Sequence, residues 1–139
     1  MVLGIDFGVK RVGVAISNPS NNMALALTTF SSKQSLDLIK ELIIKKNIDT
    51  IVIGYPIKDD KDEGFIGRQA RLFSKQLETN TNITVILVNE FLSTQLSIKH
   101  LREQGYSKKS IEEKKDSEAA RIILQTYLDN NLSNLFKVL

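Results

Sequence analysis

Three acidic residues stand at positions where their side chains could act together. Asp6 lies at the end of the first predicted strand, Glu90 lies at the end of a later one, and Asp116 begins the last predicted helix. Ligands of α/β sheets bind at the carboxyl ends of strands, so Asp6 and Glu90 meet that condition if their strands are parallel neighbours. Carboxylates are the ligands that Mg²⁺ and Mn²⁺ prefer. The joint placement of the three predicts a metal site at one rim of one sheet.

Helical spacing predicts where the Asp116 side chain points. Positions three or four residues apart share one face of a helix. On the face that Asp116 leads, those positions hold Ala119, Ala120, Ile123, Leu124 and Tyr127. This apolar stripe must pack on the sheet, and its paired alanines allow a close approach. A carboxylate at the edge of a core is costly unless a positive group meets it, and a divalent cation would do so.

Each acidic residue also has an ordinary explanation when it is taken alone. Asp6 could be a turn residue before Phe7, and Glu90 could be a solvated residue at a strand end. Asp116 could be a charge that suits the positive end of the helix dipole. The metal prediction therefore depends on the three residues together.

The composition narrows the chemistry further. Cysteine is absent and His100 is the only histidine. Disulfides, thiolate nucleophiles and cysteine-based zinc sites are therefore excluded, which leaves carboxylates as the metal ligands. His100 falls in the middle of a predicted helix, where a structural or surface role is favoured over a catalytic one.

The cationic residues are compatible with a phosphodiester substrate. The formal net charge is +3, and residues 99–115 carry six lysines and arginines against three glutamates. A basic segment beside an acidic metal site suits a nucleic acid, although a solvated surface explains it equally well. Lys10 and Arg11, in the turn after Asp6, are candidate nucleic-acid contacts through phosphate, or else a plain basic turn.

The length of 139 residues predicts a single domain over 1–139. The sequence has no apolar run long enough to cross a bilayer and no cleavable N-terminal signal segment. We therefore expect a cytoplasmic protein with no membrane partner.

Apolar periodicity predicts the element order β-β-β-α-β-α-β-α-α. Hairpin strands come first, and alternating helices and strands follow. The last helix is predicted from Asp116 to Tyr127, and the apolar residues 132–139 are left unplaced. This order implies an α/β fold with a mixed five-stranded sheet flanked by helices.

Two other folds have a related N-terminal motif, but the chain of 139 residues is too short for either. Asp6-Phe7-Gly8 is the triplet that carries a magnesium ligand in protein kinases, but no nucleotide-binding lobe can precede it here and no His-Arg-Asp loop follows. Sugar-kinase and actin-type ATPases also open with a strand, an Asp-x-Gly turn and a second strand. They need two such domains, and this chain has room for one.

Four blocks in order resemble the YqgF family, the Holliday-junction-resolvase-like proteins described as pre-16S rRNA nucleases. They are Asp6 to Ala15, Gly54-Tyr55-Pro56, Asn89 to Thr94, and Asp116 to Ala120 with the apolar residues that follow. The resemblance runs from about residue 3 to residue 128.

The resemblance implies a ribonuclease H-like fold and a metal-dependent endonuclease that hydrolyses phosphodiester bonds. Asp6, Glu90 and Asp116 match the family's acidic site residues, so they would be both the catalytic residues and the ligands of one or two Mg²⁺ or Mn²⁺ ions. The implied role is trimming of precursor small-subunit rRNA (pre-16S rRNA). The implied partners are nucleic acid, with RNA favoured over DNA, and ribosomal precursor particles.

Two residues depart from the family's pattern. Asn89 replaces an acidic residue before the glutamate, and Phe91 replaces an arginine after it. They motivate a rival hypothesis, in which the chain is a non-catalytic RNA- or ribosome-binding module with a degenerate site. A Holliday-junction-type DNA resolvase is the other alternative. An ATP-binding domain would instead be stabilised by nucleotide, which we do not expect.

Overall fold

The computed structural model of the protein describes residues 1–55, 64–89 and 93–138. Its elements follow the predicted order. They are β1 (Val2–Phe7), β2 (Arg11–Ser17), β3 (Ala24–Ser31), α1 (Ser32–Lys46), β4 (Thr50–Tyr55), α2 (Gly64–Thr81), β5 (Thr84–Asn89), α3 (Ser93–Glu103) and α4 (Lys108–Val138).

The five strands form one mixed sheet in the order β3-β2-β1-β4-β5. The first three strands pair antiparallel, and β1, β4 and β5 pair parallel. The carboxyl ends of β1, β4 and β5 therefore lie at one edge of the sheet, which we call the catalytic edge. The prediction of a mixed five-stranded sheet flanked by helices is confirmed.

Alternation along β1 divides the core into two layers, because successive strand side chains point to opposite faces. Leu3, Ile5 and Phe7 join the cluster that packs under α1 and α2. Val2 faces the other way and joins the cluster formed with α4. Gly4 and Asp6 follow Val2 at two-residue spacing, so both lie on the α4 face of the sheet.

Helix α4 lies very close to this face because glycines line its path. A Cβ atom on Gly4 would come within 2.6 Å of the Leu124 Cβ, and one on Gly13 would overlap the backbone of Asp116. The predicted apolar stripe is confirmed. Ala119, Ala120, Ile123 and Leu124 are all at most 1% exposed.

The prediction that the last helix runs from Asp116 to Tyr127 is wrong at both ends. Helix α4 begins eight residues earlier, at Lys108, and continues to Val138. Ser107 caps it, since its Oγ accepts a hydrogen bond from the Ser110 N–H at 3.2 Å. The charged residues after Lys108 hide this start, because Ile111 is the only large apolar residue of the first two turns and it is buried. Asp116 is therefore not at a helix N-terminus, and the dipole explanation for it fails.

Helix α3 ends just before a glycine, as helices commonly do. Gly105 has φ of +86°, and the Tyr106 N–H donates to the Leu101 carbonyl at 3.1 Å, which is the Schellman pattern. No helix in the described part of the chain is both long enough and apolar enough to span a membrane.

Candidate catalytic edge of the sheet

Asp6 is the penultimate residue of β1, and two glycines flank it. Gly13 of β2 and Gly54 of β4 are its register partners on either side. Directly paired residues point to the same face of a sheet. Asp6 therefore points towards α4, and its two neighbours in the row, Gly13 and Gly54, have no side chains. Asp116 and Ile123 of α4 occupy the space that side chains at Gly13 and Gly54 would fill, so the helix packs close to Asp6, which is half-buried.

Asp116 faces Asp6 from α4. Its backbone lies against Gly13, the register partner of Asp6, and its side chain is only 15% exposed. The pKa of Asp6 is raised from 3.8 to about 7, mainly by burial and then by the negative charge of Asp116. The structure thus brings together two of the three predicted acidic residues.

Arg11 supplies a positive charge to Asp116 that the sequence prediction did not foresee. Its Nε donates to Asp116 Oδ2 at 2.9 Å, and its Nη2 lies 3.6 Å from Glu112 Oε1. In the described part of the protein, the positive group that the Asp116 carboxylate was expected to need is therefore Arg11, and the role of Asp116 as a metal ligand stays a prediction. Arg11 is half exposed, so its guanidinium contacts Asp116, Glu112 and solvent.

Glu112 is an acidic residue of this edge that the sequence analysis missed. It lies one helical turn before Asp116, and its Oε1 accepts a hydrogen bond from the Nζ of Lys115 at 2.9 Å. That hydrogen bond, then the charges of Lys115 and Arg11, hold the pKa of Glu112 below its usual value. The four-residue spacing to Asp116 was the available signal, but it is visible only once α4 is known to begin at Lys108.

The third predicted acidic residue is not placed. Strand β5 ends at Asn89 on the catalytic edge, but β4 lies between β1 and β5, so the two strands are parallel without being neighbours. Glu90 and Phe91 lie outside the described residues. Within 1–55, 64–89 and 93–138, no group of three or more acidic or histidine side chains is arranged to hold a metal. The three-carboxylate site stays a prediction.

Thr29 is a second residue that the sequence analysis missed. It pairs with Gly13 on the side away from Asp6, so Asp6, Gly13 and Thr29 form one row across three strands. Its Oγ1 is buried and has no hydrogen-bond partner in the described part of the protein. A buried hydroxyl without a partner is costly, and its place in this row makes it available to water or to a ligand.

The remaining predicted residues lie apart from the Asp6–Asp116 pair. Lys10 is exposed in the turn between β1 and β2, one residue from Arg11. His100 Nε2 lies 3.7 Å from the buried carboxylate of Glu118, which Arg121 also binds. This is the structural role that was favoured for His100. Tyr55, from the second of the matching blocks, is 7% exposed and belongs to the core.

Comparison with known proteins supplies the family. The family model of RuvX, described as a Holliday junction resolvase, matches residues 1–130. A protein of Mycoplasmopsis synoviae is 36% identical over 131 residues, covering 91% of this chain and 96% of its own. A protein of Maridesulfovibrio salexigens is 35% identical over 130 residues, which cover 91% of this chain and 96% of that protein. Both are named "Putative pre-16S rRNA nuclease".

Solved structures agree on the fold. Thermus thermophilus RuvC, solved with a Holliday junction substrate, superposes with a TM-score of 0.55 at 9% identity over 94% of both chains. The fowlpox virus resolvase, solved with Holliday junction DNA, gives 0.50 at 18% identity over 94% of this chain and 99% of that one. At such identities the likeness shows the fold alone, which is that of the ribonuclease H-like nucleases. The chain belongs to the RuvX family of Holliday junction resolvases, and it is a nuclease.

Proposed function

We propose that the protein is a metal-dependent endonuclease that processes precursor small-subunit rRNA (pre-16S rRNA) in the cytoplasm. The observation that carries the proposal is the pairing of Asp6 and Asp116 across the Gly13 row, at the carboxyl ends of the parallel strands. The names of the relatives favour RNA as the substrate. Ribosomal precursor particles would then be the physiological partners.

The residues present fit a divalent cation. Burial, and then the negative charge of Asp116, raise the pKa of Asp6, and a bound cation would offset both effects. The oxygen donors of the two carboxylates suit Mg²⁺ or Mn²⁺.

Asp6, Glu90 and Asp116 would hold the ion. We include Glu90 because it is bonded to Asn89, the last residue of β5 at the same edge. When bound, the ion supplies Lewis-acid stabilisation of the phosphate and lowers the pKa of a bound water. Lys10, exposed beside Arg11, would bind a phosphate next to the one that is cleaved. The half-buried Asp6 would keep bulk water from one side of the site.

Two other functions have a specific observation in their favour. The family description and the junction-bound solved structures favour a DNA resolvase. Asn89 and Phe91, which depart from the family pattern, favour an RNA- or ribosome-binding module without catalysis. The three candidates differ in what the protein cleaves.

A cleavage assay separates the candidates. The purified protein is incubated with a precursor 16S rRNA fragment, a four-way DNA junction and a linear DNA duplex, each with Mg²⁺, Mn²⁺ or EDTA. We expect cleavage of the RNA that needs either metal. Cleavage of the junction alone would identify a resolvase, and tight RNA binding without cleavage under both metals would identify the binding module. Asp116→Asn, purified in the same way, is the control. If it cleaves as fast as the wild type, the activity comes from a contaminating nuclease or a different site.

Arg11→Gln is expected to strengthen Mn²⁺ binding several-fold. The reason is that Arg11 lies 2.9 Å from Asp116 and competes with a cation for the same carboxylate. Isothermal titration calorimetry measures the Kd directly, without any cleavage. We expect the free energy of unfolding to fall by about 1 kcal/mol or somewhat more, because Arg11 is half exposed but Asp116 is only 15% exposed.

Lys10→Gln is the matched control, since it removes the same charge one residue away. We expect it to change the Kd much less than Arg11→Gln does. If Arg11→Gln weakens Mn²⁺ binding instead, Arg11 holds Asp116 in the orientation that the metal requires, and the competition argument is wrong.

A further inference from the structure

Helix α2 presents a cationic surface to solvent. Arg68, Arg71 and Lys75 are exposed, whereas Ala70 and Leu77 on the other side of the helix are buried. The helix carries a single acidic residue, Glu78, near its end, and its first turn has none. We call Arg68, Arg71, Leu72 and Lys75 the α2 basic face. These four side chains line a groove of about 260 Å³.

A second groove links this face to the catalytic edge. It has a volume of about 230 Å³ and runs from Phe7 and Val9, in β1 and the turn after it, to Gln69 and Leu72 of α2. Leu72 lines both grooves, so they adjoin. Phe7 follows Asp6 directly, and Val9 precedes Lys10. The two grooves therefore connect the end of β1, next to Asp6 in the chain, with the α2 basic face.

The first turn of α1 borders the linking groove through Ser32 and Ser35. No acidic residue lies in that turn, and Lys33 is exposed there. The amino end of α1 at this edge therefore favours negative charge. A chain of phosphates carries one negative charge at each repeat, so it suits a groove that leads to Arg68, Arg71 and Lys75.

The spacing of the cations fits a nucleic-acid backbone. Arg68 and Lys75 are seven residues apart, which is about 10 Å along a helix. One strand of a duplex presents about three phosphates over that length. Contacts of this kind position a substrate without reading its sequence.

We propose that the α2 basic face binds the phosphate backbone of a nucleic-acid arm that extends from the cleavage site. The inference rests on the proposed nuclease function, because it assigns the path of the substrate beyond the catalytic edge. It adds a binding surface on the side of the sheet opposite α4, where neither Asp6 nor Asp116 lies. Arg68 and Lys75 position the substrate and take no part in the chemistry.

The test is the salt dependence of binding in the Arg68→Gln/Lys75→Gln variant. Binding of a short fluorescein-labelled RNA duplex is followed by anisotropy in EDTA, so no cleavage occurs, over about 50 to 200 mM salt. Two lost phosphate contacts should lower the slope of log K against log[salt] by about two. Binding near 0.1 M salt should weaken by about tenfold or more. A labelled single strand of the same sequence shows whether the arm must be a duplex.

Lys45→Gln/Lys46→Gln is the matched control. It removes the same charge at the end of α1, away from the catalytic edge, and should leave the slope nearly unchanged. If both variants and the wild type show the same salt-dependence slope, the inference is overturned. The proposed function still stands in that case if the wild type cleaves RNA. A wild-type protein that binds no nucleic acid would overturn both. The wild type could also prove to be a dimer that Arg68→Gln/Lys75→Gln dissociates without any change in the salt-dependence slope. That result would make this face a self-association surface and overturn the inference.

Discussion

Asp6→Asn is expected to lower the rate of RNA cleavage by about a thousandfold or more. The substitution removes a charged metal ligand while it preserves the size of the side chain. Lewis-acid stabilisation by a bound ion contributes several kcal/mol to the transition state, and each 1.36 kcal/mol changes a rate by about tenfold. Single-turnover cleavage of the precursor rRNA fragment at saturating Mg²⁺ measures the effect.

The same substitution should stabilise the metal-free protein. In the folded state the pKa of Asp6 is about 7, against 3.8 without the fold. The folded state therefore binds this proton more tightly than the unfolded state does, so the free energy of unfolding falls as pH rises from about 4 to about 7. Above that window the wild type has lost on the order of 4 kcal/mol through this group. The asparagine of the variant cannot ionise and avoids the loss.

Urea unfolding of both proteins in EDTA, from pH 4 to pH 8, measures this difference. We expect the two stabilities to be similar at the acid end and to diverge in favour of Asp6→Asn as pH rises. Asp37→Asn, at an exposed position of α1, controls for the loss of one charge. Mn²⁺ should then stabilise the wild type and leave Asp6→Asn nearly unchanged. Parallel pH curves for wild type and Asp6→Asn would mean that the carboxyl group of Asp6 is neither buried nor close to Asp116.

Gly13→Ala is expected to destabilise the fold by about 3 kcal/mol or more. The added Cβ would overlap the carbonyl oxygen of Asp116, which is backbone and cannot rotate away. Overpacking of this kind typically costs about 1 to 3 kcal/mol, and more where backbone must shift. Alanine is no worse than glycine in a strand interior, so the loss would come from the displacement of α4. Chemical unfolding measures it, and Mn²⁺ titration reports whether Asp116 has moved.

Gly54→Ala is the comparison. Its Cβ would meet the side chain of Ile123 rather than a backbone atom, and a side chain can change rotamer to relieve the contact. We expect a smaller loss of stability, with Mn²⁺ binding retained. If both variants lose the same stability, the close approach of α4 at Asp116 is not what the glycine at position 13 permits.

Much of the fold was predictable because its signals are local. The apolar run of β1 and the helical stripe from Ala119 to Leu124 are patterns of neighbouring residues, and burial enforces both. The turn at Gly105 needs only a positive φ, which glycine adopts freely. The start of α4 was missed because its first two turns present one apolar residue, Ile111, so periodicity gave no signal there.

The sequence by itself determined the order of the elements, the mixed sheet, and the positions of Asp6 and Asp116 on faces that meet. Only the tertiary structure decided that Arg11 pairs with Asp116, 105 residues away, and that Gly13 separates Asp6 from Thr29. The physical reason is range. A strand or a helical face is specified by side chains a few residues apart, whereas the charge that meets a half-buried carboxylate depends on which strands pair and how closely a helix packs over them.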